Sequence, residues 1–376
     1  MIYLDNAATS FPKPNCVSRT ICEYMTKIGA SAGRGGYKAS SYATEAVFSA
    51  RESISQIIGN FNPQQLIFTK NATEALNIAI RGCVNFGDNV VISPVEHNSV
   101  IRPLNRLKTN IVRLPLNTDG SCNINALEKV ITPRTALVII NHASNVSGIV
   151  NDIETAAKIC KIKGVKLLID ASQSVGVIPI GCDNMGAMVA FAGHKSLMGP
   201  MGTGCLYLPE NTQIFPLITG GTGSESKLMV QPETIPDRFE SGTLNVPAIC
   251  ALGESCKYIN KIGIKNIYYH ERQLTERLIN GLSDIKKVKI LYPKTQNRTS
   301  AVSFVIGGID CTRVGQILDD EYDIAVRCGF HCAPEAHKVF GTYDTGTVRV
   351  SAGWYNTKQD VDKIIWAISN ICKTTK

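Results

Sequence analysis

Short apolar segments alternate with amphipathic segments up to about residue 210 of the chain. Most of the apolar segments lack the alternating polar positions of a half-exposed strand, which is typical of strands covered on both faces of a sheet. Helical spacing between them, for example at 73–81 and 152–163, gives a repeated strand–helix order. That order predicts an α/β fold with a mostly parallel sheet and right-handed crossovers. We predict strands at 65–69, 89–93, 111–114, 136–140, 165–169, 187–191 and 205–208.

The pattern changes after about residue 210. Residues 216–246 are rich in Gly, Thr, Ser and Pro and lack periodicity, which predicts a loop region at an active site rather than a linker. We therefore expect a large α/β domain at 15–250 and a smaller α+β domain formed by 1–14 and 251–376. Beyond the loop region we predict helices at 246–261, 267–281, 312–319 and from 358, and strands at 300–306, 324–327 and 347–351.

The composition is that of an ordinary globular protein, with 44% hydrophobic and 19% charged residues in a chain of 376. It excludes a mostly disordered chain. The longest apolar stretches, such as 136–140, are far shorter than the roughly 20 residues that span a bilayer. Met1 is followed directly by Ile-Tyr-Leu-Asp, without the basic and apolar regions of a secretory signal. These features predict a cytosolic protein that does not interact with membranes.

Charge and cysteine content narrow the function classes further. The 39 basic and 31 acidic residues give a net charge of +8, but the basic residues are dispersed, which disfavours nucleic-acid binding. The 13 cysteines include no Cys-x-x-Cys pair, and most lie in apolar segments, so we interpret them as reduced. The glycine-rich signatures of dinucleotide-binding folds and of phosphate loops are absent from the sequence.

Candidate chemistry begins with two polar residues that follow consecutive predicted strands. Asp170 comes directly after the strand at 165–169, and Lys195 comes shortly after the strand at 187–191. The carboxyl ends of parallel strands meet at one edge of a sheet, where α/β proteins bind ligands. A desolvated lysine at that edge suits Schiff-base chemistry. A structural ion pair between the two residues is an equally good interpretation of this spacing alone.

Neighbouring segments favour the chemical interpretation. Residues 69–75 combine a strand end, a turn and a helix start at Ala72 and Thr73, whose backbone N–H groups suit a phosphate. His97 follows another strand and suits stacking on an aromatic ring, although a polar loop histidine is the simpler alternative. Asn145 lies in a polar segment beyond a fourth strand. Together with the carboxylate and the lysine, these groups describe a pocket for pyridoxal phosphate.

These motifs resemble those of a known family. The sequence is similar to the class V aminotransferase-family enzymes of pyridoxal phosphate fold type I, and most closely to the group II (SUF-type) cysteine desulfurases. The resemblance covers essentially the whole chain, from YLDNAA at 3–8 to RVSAGWYNT at 349–357. It implies a large domain with a mostly parallel sheet, a smaller α+β domain, and pyridoxal 5'-phosphate as the cofactor.

The resemblance also implies roles for individual residues toward the cofactor. Lys195 would bind its aldehyde covalently, Asp170 would keep the pyridine nitrogen protonated, and His97 would stack on the ring. Thr243, in the segment 238–243, would reach the phosphate in the partner subunit's site, which implies a homodimer. The remaining cofactor contacts are implied for Ala72, Thr73, Asn145, Gln173 and His194.

On the substrate side, the resemblance implies that Arg349 clamps the amino-acid carboxylate with help from Asn145, and that Cys332 is the nucleophile. Cys332 lies in the segment RCGFHCAP, and its attack needs a thiolate, which a cation such as Arg327 or His331 would favour. Together with Lys195 and His97 it would form the catalytic set. Sulfur from L-cysteine would become a persulfide on the enzyme, with release of alanine. An acceptor protein would then receive it for iron–sulfur cluster or thio-cofactor assembly.

Three positions depart from the family pattern: Ala192 replaces a usual serine, and Tyr37 and Phe330 replace common histidines. These changes bear on cofactor affinity, rate, acceptor preference and substrate range rather than on the chemistry itself. The alternative enzyme is a selenocysteine lyase or another lyase or transferase of the family. The alternative from another class is a non-catalytic protein that binds a partner or a metal through 328–337. The Cys and His spacing there matches no common zinc signature, so we predict no metal site.

Overall fold

The computed structural model describes residues 1–33 and 35–374. Each of the seven strands predicted before residue 210 is present, with ends that shift by one residue. The strands are β1 (Ile2–Tyr3), β2 (Leu66–Thr69), β3 (Asn89–Ile92), β4 (Asn110–Arg113), β5 (Thr135–Asn141), β6 (Lys166–Asp170), β7 (Met188–Ala192), β8 (Gly204–Tyr207), β9 (Val288–Ile290), β10 (Ala301–Ile306), β11 (Ile324–Ala325), β12 (Arg327–Gly329) and β13 (Thr347–Ser351). The α-helices are α1 (Asn15–Lys27), α2 (Lys38–Ile58), α3 (Ala72–Cys83), α4 (Asn98–Arg106), α5 (Leu127–Val130), α6 (Ile153–Lys163), α7 (Cys182–Met185), α8 (Val246–Ile262), α9 (Ile264–Ser283), α10 (Cys311–Tyr322), α11 (Pro334–Phe340) and α12 (Lys358–Thr374).

Seven strands form the main sheet, in the order β2-β8-β7-β6-β5-β3-β4. The pairs among β3 to β7 are parallel, whereas β8 is antiparallel to both β2 and β7. No helix separates β7 from β8, and a parallel connection needs such a crossover, so β8 returns in the opposite direction. The predicted α/β class with a mostly parallel sheet is confirmed, and β8 is the strand whose direction the sequence pattern did not indicate.

The strands of this sheet are buried on both faces, which explains their lack of alternation. In β5, Val138 and Ile140 belong to one hydrophobic core and Leu137 and Ile139 to the other, and all four are fully buried. Helices α2, α6 and α8 contribute to the first core, and α3 and α4 to the second. Each fully buried side chain of this size is worth roughly 1.5–3 kcal/mol, so both faces stabilise the sheet.

A second sheet of four antiparallel strands, β12-β13-β10-β9, follows in the C-terminal part of the chain. Its core includes apolar side chains of α9, α10 and α12. The N-terminus joins this part, because β1 pairs in parallel with β11 and Asp5 forms a bridge with Ser351. Helix α8 spans residue 250 and packs on α1 and α2. The domain limits stay a prediction.

The strand order brings the polar segments of the sequence to one edge of the main sheet. β2, β3, β5, β6 and β7 run in the same direction and therefore all end at this edge. Between Tyr207 and Val246 the structure has no helix or strand, which fits the composition of that region. None of the helices within the described residues has the length and hydrophobicity needed to cross a membrane.

Candidate active site

A cavity opens at the carboxyl edge of the main sheet, where α/β proteins bind ligands. Its wall is formed by residues that follow the five parallel strands. They are Asn71, Ala72, Thr73, Leu76, His97, Ser99, Asn141, Asn145, Asp170, Ser172, Gln173, Ala192, His194 and Lys195. The predicted site residues that do not line this cavity are Thr243, Cys332 and Arg349. The sheet thus brings together most of the residues that the sequence indicated.

Asp170 and Lys195 come from paired strands, since Asp170 ends β6 and Lys195 follows β7. Ser172 donates to Oδ1 of Asp170 from its N–H at 3.0 Å and from its hydroxyl at 2.5 Å. Burial lowers the pKa of Lys195 to about 8. The charges of Arg349 and Arg327 also lower this pKa, whereas Asp170 and Cys332 raise it. No ion pair within 4.0 Å joins Asp170 to Lys195 in the described part of the chain, although the charge of Asp170 favours the charged form of Lys195.

The amino end of α3 closes one end of the cavity. Asn71 caps this helix by accepting a hydrogen bond from the N–H of Glu74 at 2.9 Å. The N–H groups of Ala72 and Thr73 have no acceptor within the helix, because the first turn of any α-helix leaves such groups unpaired. Gly204 of β8 allows this close approach, since a Cβ there would lie 2.4 Å from the carbonyl carbon of Asn71. The arrangement favours an anion.

His194 presents an unused nitrogen in the wall of the same cavity. Its Nδ1 is buried and has no hydrogen-bond partner among the described residues. The N-terminal segment fixes its backbone carbonyl, which accepts from the hydroxyl of Thr9 at 3.0 Å and from Nζ of Lys13 at 2.6 Å. Burial lowers the pKa of His194 to about 4, and the charges of Lys195 and Lys13 add to this effect. A neutral imidazole with a free nitrogen in a cavity wall indicates that a ligand completes the site.

His97 lies at the start of α4 and is the N-cap residue of that helix. Its Nδ1 accepts the backbone N–H of Ser99 at 3.1 Å and lies 2.9 Å from the Ser99 hydroxyl. Burial lowers the pKa of His97 to about 4; Asp170 opposes this shift, and Lys195 is one of the cations that support it. The imidazole is therefore neutral at physiological pH.

Asn145 and Gln173 have partners that the sequence did not indicate. Nδ2 of Asn145 donates to the carbonyl of His331 at 2.7 Å, and its buried Oδ1 has no partner among the described residues. Nε2 of Gln173 donates to the carbonyl of Ala7 at 2.9 Å. Both side chains therefore join the cavity wall to segments that lie far away in the sequence.

Arg349 on β13 is fully buried and is held from two sides. Its Nη2 forms an ion pair with Oδ1 of Asp5 at 2.6 Å, and its Nη1 donates to the carbonyl of Asn145 at 3.0 Å. Its Nε has no partner among the described residues. Burial lowers the pKa of Arg349, and the charge of Asp5 opposes this shift. The guanidinium keeps unused N–H groups although Asp5 neutralises much of its charge.

Cys332 is exposed, and its backbone is held in an uncommon conformation. His331 and Cys332 both have left-handed φ values, 50° and 58°, which non-glycine residues rarely adopt in succession. Two hydrogen bonds hold this turn, one from Asn145 to the carbonyl of His331 at 2.7 Å and one from the N–H of Asn98 to the carbonyl of Cys332 at 2.8 Å. The second bond joins the turn to the start of α4, directly after His97.

The structure decides between the two cations proposed for the nucleophile. Nη2 of Arg327 donates to Sγ of Cys332 at 3.3 Å. His331 is buried instead and its Nε2 lies 2.8 Å from the hydroxyl of Thr347. Burial lowers the pKa of His331 to about 2, with a further contribution from Arg349, so its ring is neutral. Arg327 is therefore the cation that contacts the thiol.

The possible zinc ligands around Cys332 are used in other ways. The side chain of Cys328 packs on α10, where a Cβ at Gly315 would lie 2.6 Å from its Sγ. Burial raises the pKa of Cys328 to about 12. Nδ1 of His337 lies 2.8 Å from the hydroxyl of Thr342. Within residues 1–33 and 35–374 no group of three or more His, Cys, Asp or Glu side chains is arranged to hold a metal ion.

Thr243 and the three departures from the family pattern occupy different surroundings. Thr243 is exposed in its own chain, so its contact with a partner's site stays a prediction. Ala192 is buried in the cavity wall, where its methyl group adds no hydrogen bond. Tyr37 and Phe330 are exposed, at 56% and 43% of their surface, and neither lines the cavity. Phe330 lies directly beside the turn that carries the thiol.

Several site residues were missed by the sequence analysis. Ser99 and Ser172 each lie two residues after a predicted site residue, and this local spacing was a usable signal. Asp5 contacts Arg349 across 344 positions, and nothing in its local sequence indicates that partner. Its position depends on how the N-terminal strand pairs with the second sheet.

Comparison with known proteins identifies the family to which this arrangement belongs. A sequence model of the aminotransferase class-V family matches residues 2–364. The chain belongs to this family, as its motifs predicted.

Similar proteins share a particular name. A probable cysteine desulfurase of Methanothermobacter thermautotrophicus is 36% identical over 373 residues, a match that covers 96% of this chain and 92% of that protein. The apo structure of cysteine desulfurase from Thermococcus onnurineus NA1 superposes with a TM-score of 0.90 at 31% identity, over 99% of this chain and 94% of that chain. The structure of the cysteine desulfurase CsdA (S-sulfonic acid) from Escherichia coli superposes with a TM-score of 0.88 at 25% sequence identity. This match covers 100% of this chain and 95% of that chain. These likenesses confirm fold type I; the SUF-type subgroup stays a prediction.

Proposed function

We propose that this protein is a pyridoxal phosphate-dependent cysteine desulfurase, which converts L-cysteine to L-alanine and holds the removed sulfur as a persulfide on Cys332. One observation carries the proposal: Asn145, which lines the same cavity as Lys195, donates from Nδ2 to the carbonyl of His331 at 2.7 Å, directly before the exposed Cys332. An amine and a thiol that share one small region suit a reaction on an amino acid that carries sulfur. The names of the similar proteins support the same activity.

The residues of the cavity fit pyridoxal phosphate. The start of α3 and the unpartnered Nδ1 of His194 suit a phosphate, and Oδ2 of Asp170 receives no hydrogen bond from the described residues and suits a pyridinium N–H. Lys195 would hold the aldehyde, and His97 would cover the ring. When bound, the cofactor supplies a protonated ring that withdraws electrons from the α carbon of the substrate.

The remaining cofactor contacts follow from the same wall. Thr73 has a hydroxyl and, like Ala72, an unpaired N–H at the helix start, and both would hold the phosphate. Gln173 would bond the phenolic oxygen through the part of its amide that Ala7 does not use. Asn145 would contact the cofactor or the substrate with its unpartnered Oδ1.

Lys195 and Arg349 prepare the site for an amino acid. A lysine with a pKa of about 8 is partly neutral near pH 8, and only the neutral amine is a nucleophile. Arg349 would bind the substrate carboxylate with the N–H groups that Asp5 and Asn145 leave free. Asp5 orients the guanidinium, so it acts as a positioning residue.

Sulfur transfer then depends on Cys332 and Arg327. Nη2 of Arg327 donates to Sγ of Cys332 and holds this sulfur for its attack on the sulfur of the bound cysteine. A sulfur–sulfur bond forms as the carbon–sulfur bond breaks. The electron pair of the broken bond stays with carbon, which takes up a proton and leaves as alanine. Cys332 retains the transferred sulfur as a persulfide.

A protein thiol is the proposed sulfur acceptor. The exposed ring of Phe330 lies beside the turn that carries Cys332, and its centroid is 5.7 Å from that of the exposed Tyr343. Lys338 lies over the Tyr343 ring at 5.4 Å. An exposed aromatic pair with a cation beside the nucleophile suits a protein partner.

Further features of the assembly belong to the same proposal. We expect a homodimer in which Thr243 contacts the phosphate in the other subunit's site. We also expect a large domain at 15–250 and a smaller domain formed by 1–14 and 251–376. We expect a cytosolic location, and we expect the sulfur to be used in iron–sulfur cluster or thio-cofactor assembly.

The test measures alanine and persulfide formed from L-cysteine by the enzyme loaded with pyridoxal phosphate. Cys332→Ala should form no persulfide and little alanine, whereas the matched variant Cys328→Ala should behave as the wild type, because Cys328 packs on α10. Borohydride reduction and peptide mapping should place the cofactor on Lys195. Full turnover by Cys332→Ala, or label on another lysine, would contradict the assignments. Faster turnover of selenocysteine than of cysteine would favour a selenocysteine lyase.

A further inference from the structure

Ser99 makes three contacts that join the two halves of the cavity wall. Its N–H donates to Nδ1 of His97 at 3.1 Å, and its hydroxyl lies 2.9 Å from the same nitrogen. The hydroxyl also lies 2.8 Å from Oγ1 of Thr73, at the start of α3. Ser99 is itself buried. One side chain therefore connects the anion-binding end of the cavity to the histidine.

The first of these contacts fixes where His97 carries its proton. A backbone N–H can only donate, so Nδ1 of His97 must present a lone pair to Ser99. The single ring proton is then on Nε2, and the ring is neutral. The amino end of α4 reinforces this state, because its partial positive charge opposes a cationic ring at the N-cap.

The charged groups around His97 act in both directions. Asp170 favours the cationic ring, whereas Lys195, Arg327 and Arg102 oppose it, and burial opposes it most strongly. The hydroxyl of Ser99 adds a second group that can donate to Nδ1 and thus favours the neutral ring.

We propose that Ser99 is a positioning residue, which fixes His97 as a neutral ring with its proton on Nε2 and ties that ring to Thr73. The consequence is that the resting His97 has no free lone pair in its ring plane with which to accept a proton, because Nδ1 is occupied by Ser99 and Nε2 carries the ring proton. The role in turnover rests on the proposed function, whereas the tautomer itself does not.

Nitrogen NMR of the histidine side chains tests the tautomer directly, since the chain has six histidines. The spectra are recorded on the enzyme loaded with pyridoxal phosphate and on the enzyme freed of it. We expect the proton of His97 on Nε2 in both. A proton on Nδ1 would overturn the proposal. This measurement needs no turnover, so its result does not depend on the activity of the enzyme. If L-cysteine yields no alanine, the proposed function is rejected, but the tautomer of His97 is not.

Two variants test the hydroxyl. In Ser99→Ala the backbone N–H remains but one donor to Nδ1 is lost, so the pKa of His97 should rise by roughly one pH unit. The acid limb of the pH dependence of kcat/KM should move in the same direction. Ser99→Thr keeps a hydroxyl and should restore both values.

A matched control uses the second buried serine–histidine pair. The hydroxyl of Ser174 lies 2.8 Å from Nδ1 of His142, outside the cavity wall. Ser174→Ala should change the signals of His142 and leave both the titration of His97 and the acid limb unchanged. If Ser99→Ala leaves the titration and the acid limb where they are in the wild type, Ser99 has no positioning role.

Discussion

Arg327 donates a hydrogen bond from Nη2 to the Sγ atom of Cys332, at a distance of 3.3 Å. Arg327 begins β12, which pairs with β13, and Arg327 itself lies opposite Arg349 in the register. The paired strands β12 and β13 therefore carry two guanidinium groups. That of Arg327 contacts the nucleophile, and that of Arg349 would bind the substrate carboxylate. Arg327 therefore gives the attacking sulfur a charged hydrogen-bond donor.

Replacing Arg327 should slow the chemistry of Cys332. In Arg327→Gln the sulfur loses its charged donor, and hydrogen bonds to charged groups are worth about 1.5–3 kcal/mol, so alkylation by iodoacetamide should slow about tenfold or more. Mass spectrometry can follow Cys332 separately and use the exposed Cys22 of the same molecule as an internal reference. Equal rates in variant and wild type would remove Arg327 from the proposed role.

Phe330 should matter for sulfur delivery and not for its removal from L-cysteine. In Phe330→Ser, release of sulfur to a small thiol such as dithiothreitol should match the wild type, because Phe330 does not line the cavity. Transfer to a protein thiol should fall several-fold. Phe86→Ser is the matched control, since Phe86 is also exposed but precedes β3 and so lies at the opposite edge of the sheet. Equal loss of transfer in both variants would argue against a specific surface at Phe330.

Glu96 should make stability fall as the pH rises. Its carboxyl group is fully buried, where Oε1 accepts from the hydroxyl of Ser93 and the N–H of Asn141 while Oε2 has no partner among the described residues. Burial raises the pKa of Glu96 from 4.5 to about 8, so the folded protein holds a proton that the unfolded chain releases between those values. Across that range the free energy of unfolding should fall by up to about 1.4 kcal/mol per pH unit from this group.

Glu96→Gln should remove that dependence, since glutamine mimics the protonated form. Denaturation in urea at pH 6 and pH 8 should show the variant gaining stability relative to the wild type at the higher pH. The exposed Glu128 provides the control, because Glu128→Gln should follow the wild type at both values. If the difference between Glu96→Gln and the wild type is the same at pH 6 and pH 8, Glu96 does not hold the extra proton.

A buried ion pair should control the irregular segment that carries Thr243. Arg51 of α2 binds both carboxylate oxygens of Glu240, at 3.0 and 2.6 Å, and Glu240 also accepts the N–H of Phe68 at 2.6 Å. In Glu240→Gln the guanidinium stays buried without its counter-charge, which should cost about 3–5 kcal/mol of unfolding free energy. The loss should also lower the dimer fraction, measured by sedimentation.

The double variant Arg51→Met with Glu240→Leu separates charge from shape. It removes both charges at similar volume, so it should recover most of the stability lost in Glu240→Gln. Asp362→Asn, which breaks the exposed pair with Arg277, should change stability little. A double variant as unstable as Glu240→Gln would show that the contacts themselves, rather than the unpaired charge, set the effect.

The main sheet could be predicted because its strands are apolar on both faces. β5 shows the reason. Its successive residues belong alternately to two different hydrophobic cores, so the strand is a continuous apolar segment in the sequence. Helix α2 shows the opposite case and was not predicted. Its buried face includes Ser53, Ser55 and Arg51, so hydrophobic spacing alone does not trace it. The polar members of that face are stabilised by partners elsewhere in the fold, such as Glu240.

The candidate site divides in the same way. Asp170, Lys195 and His97 were found because each follows a strand, and strand ends meet at one edge whatever the details of packing. The choice of Arg327 over His331 could not be made from the sequence. Both are cationic candidates next to Cys332, and only the burial of His331 against Thr347 makes its ring neutral. A local motif does not show which of its side chains will be buried by residues that are distant in the sequence.

The tethered turn at His331 and Cys332 limits how far the sulfur can travel. Asn145 and Asn98 hold the carbonyls of both residues, so an outward swing of this backbone would break both hydrogen bonds. A carrier must bring its own thiol to the surface of the enzyme. At low carrier concentration, delivery should then be bimolecular, with a rate proportional to the frequency of productive encounters rather than to the opening of a loop.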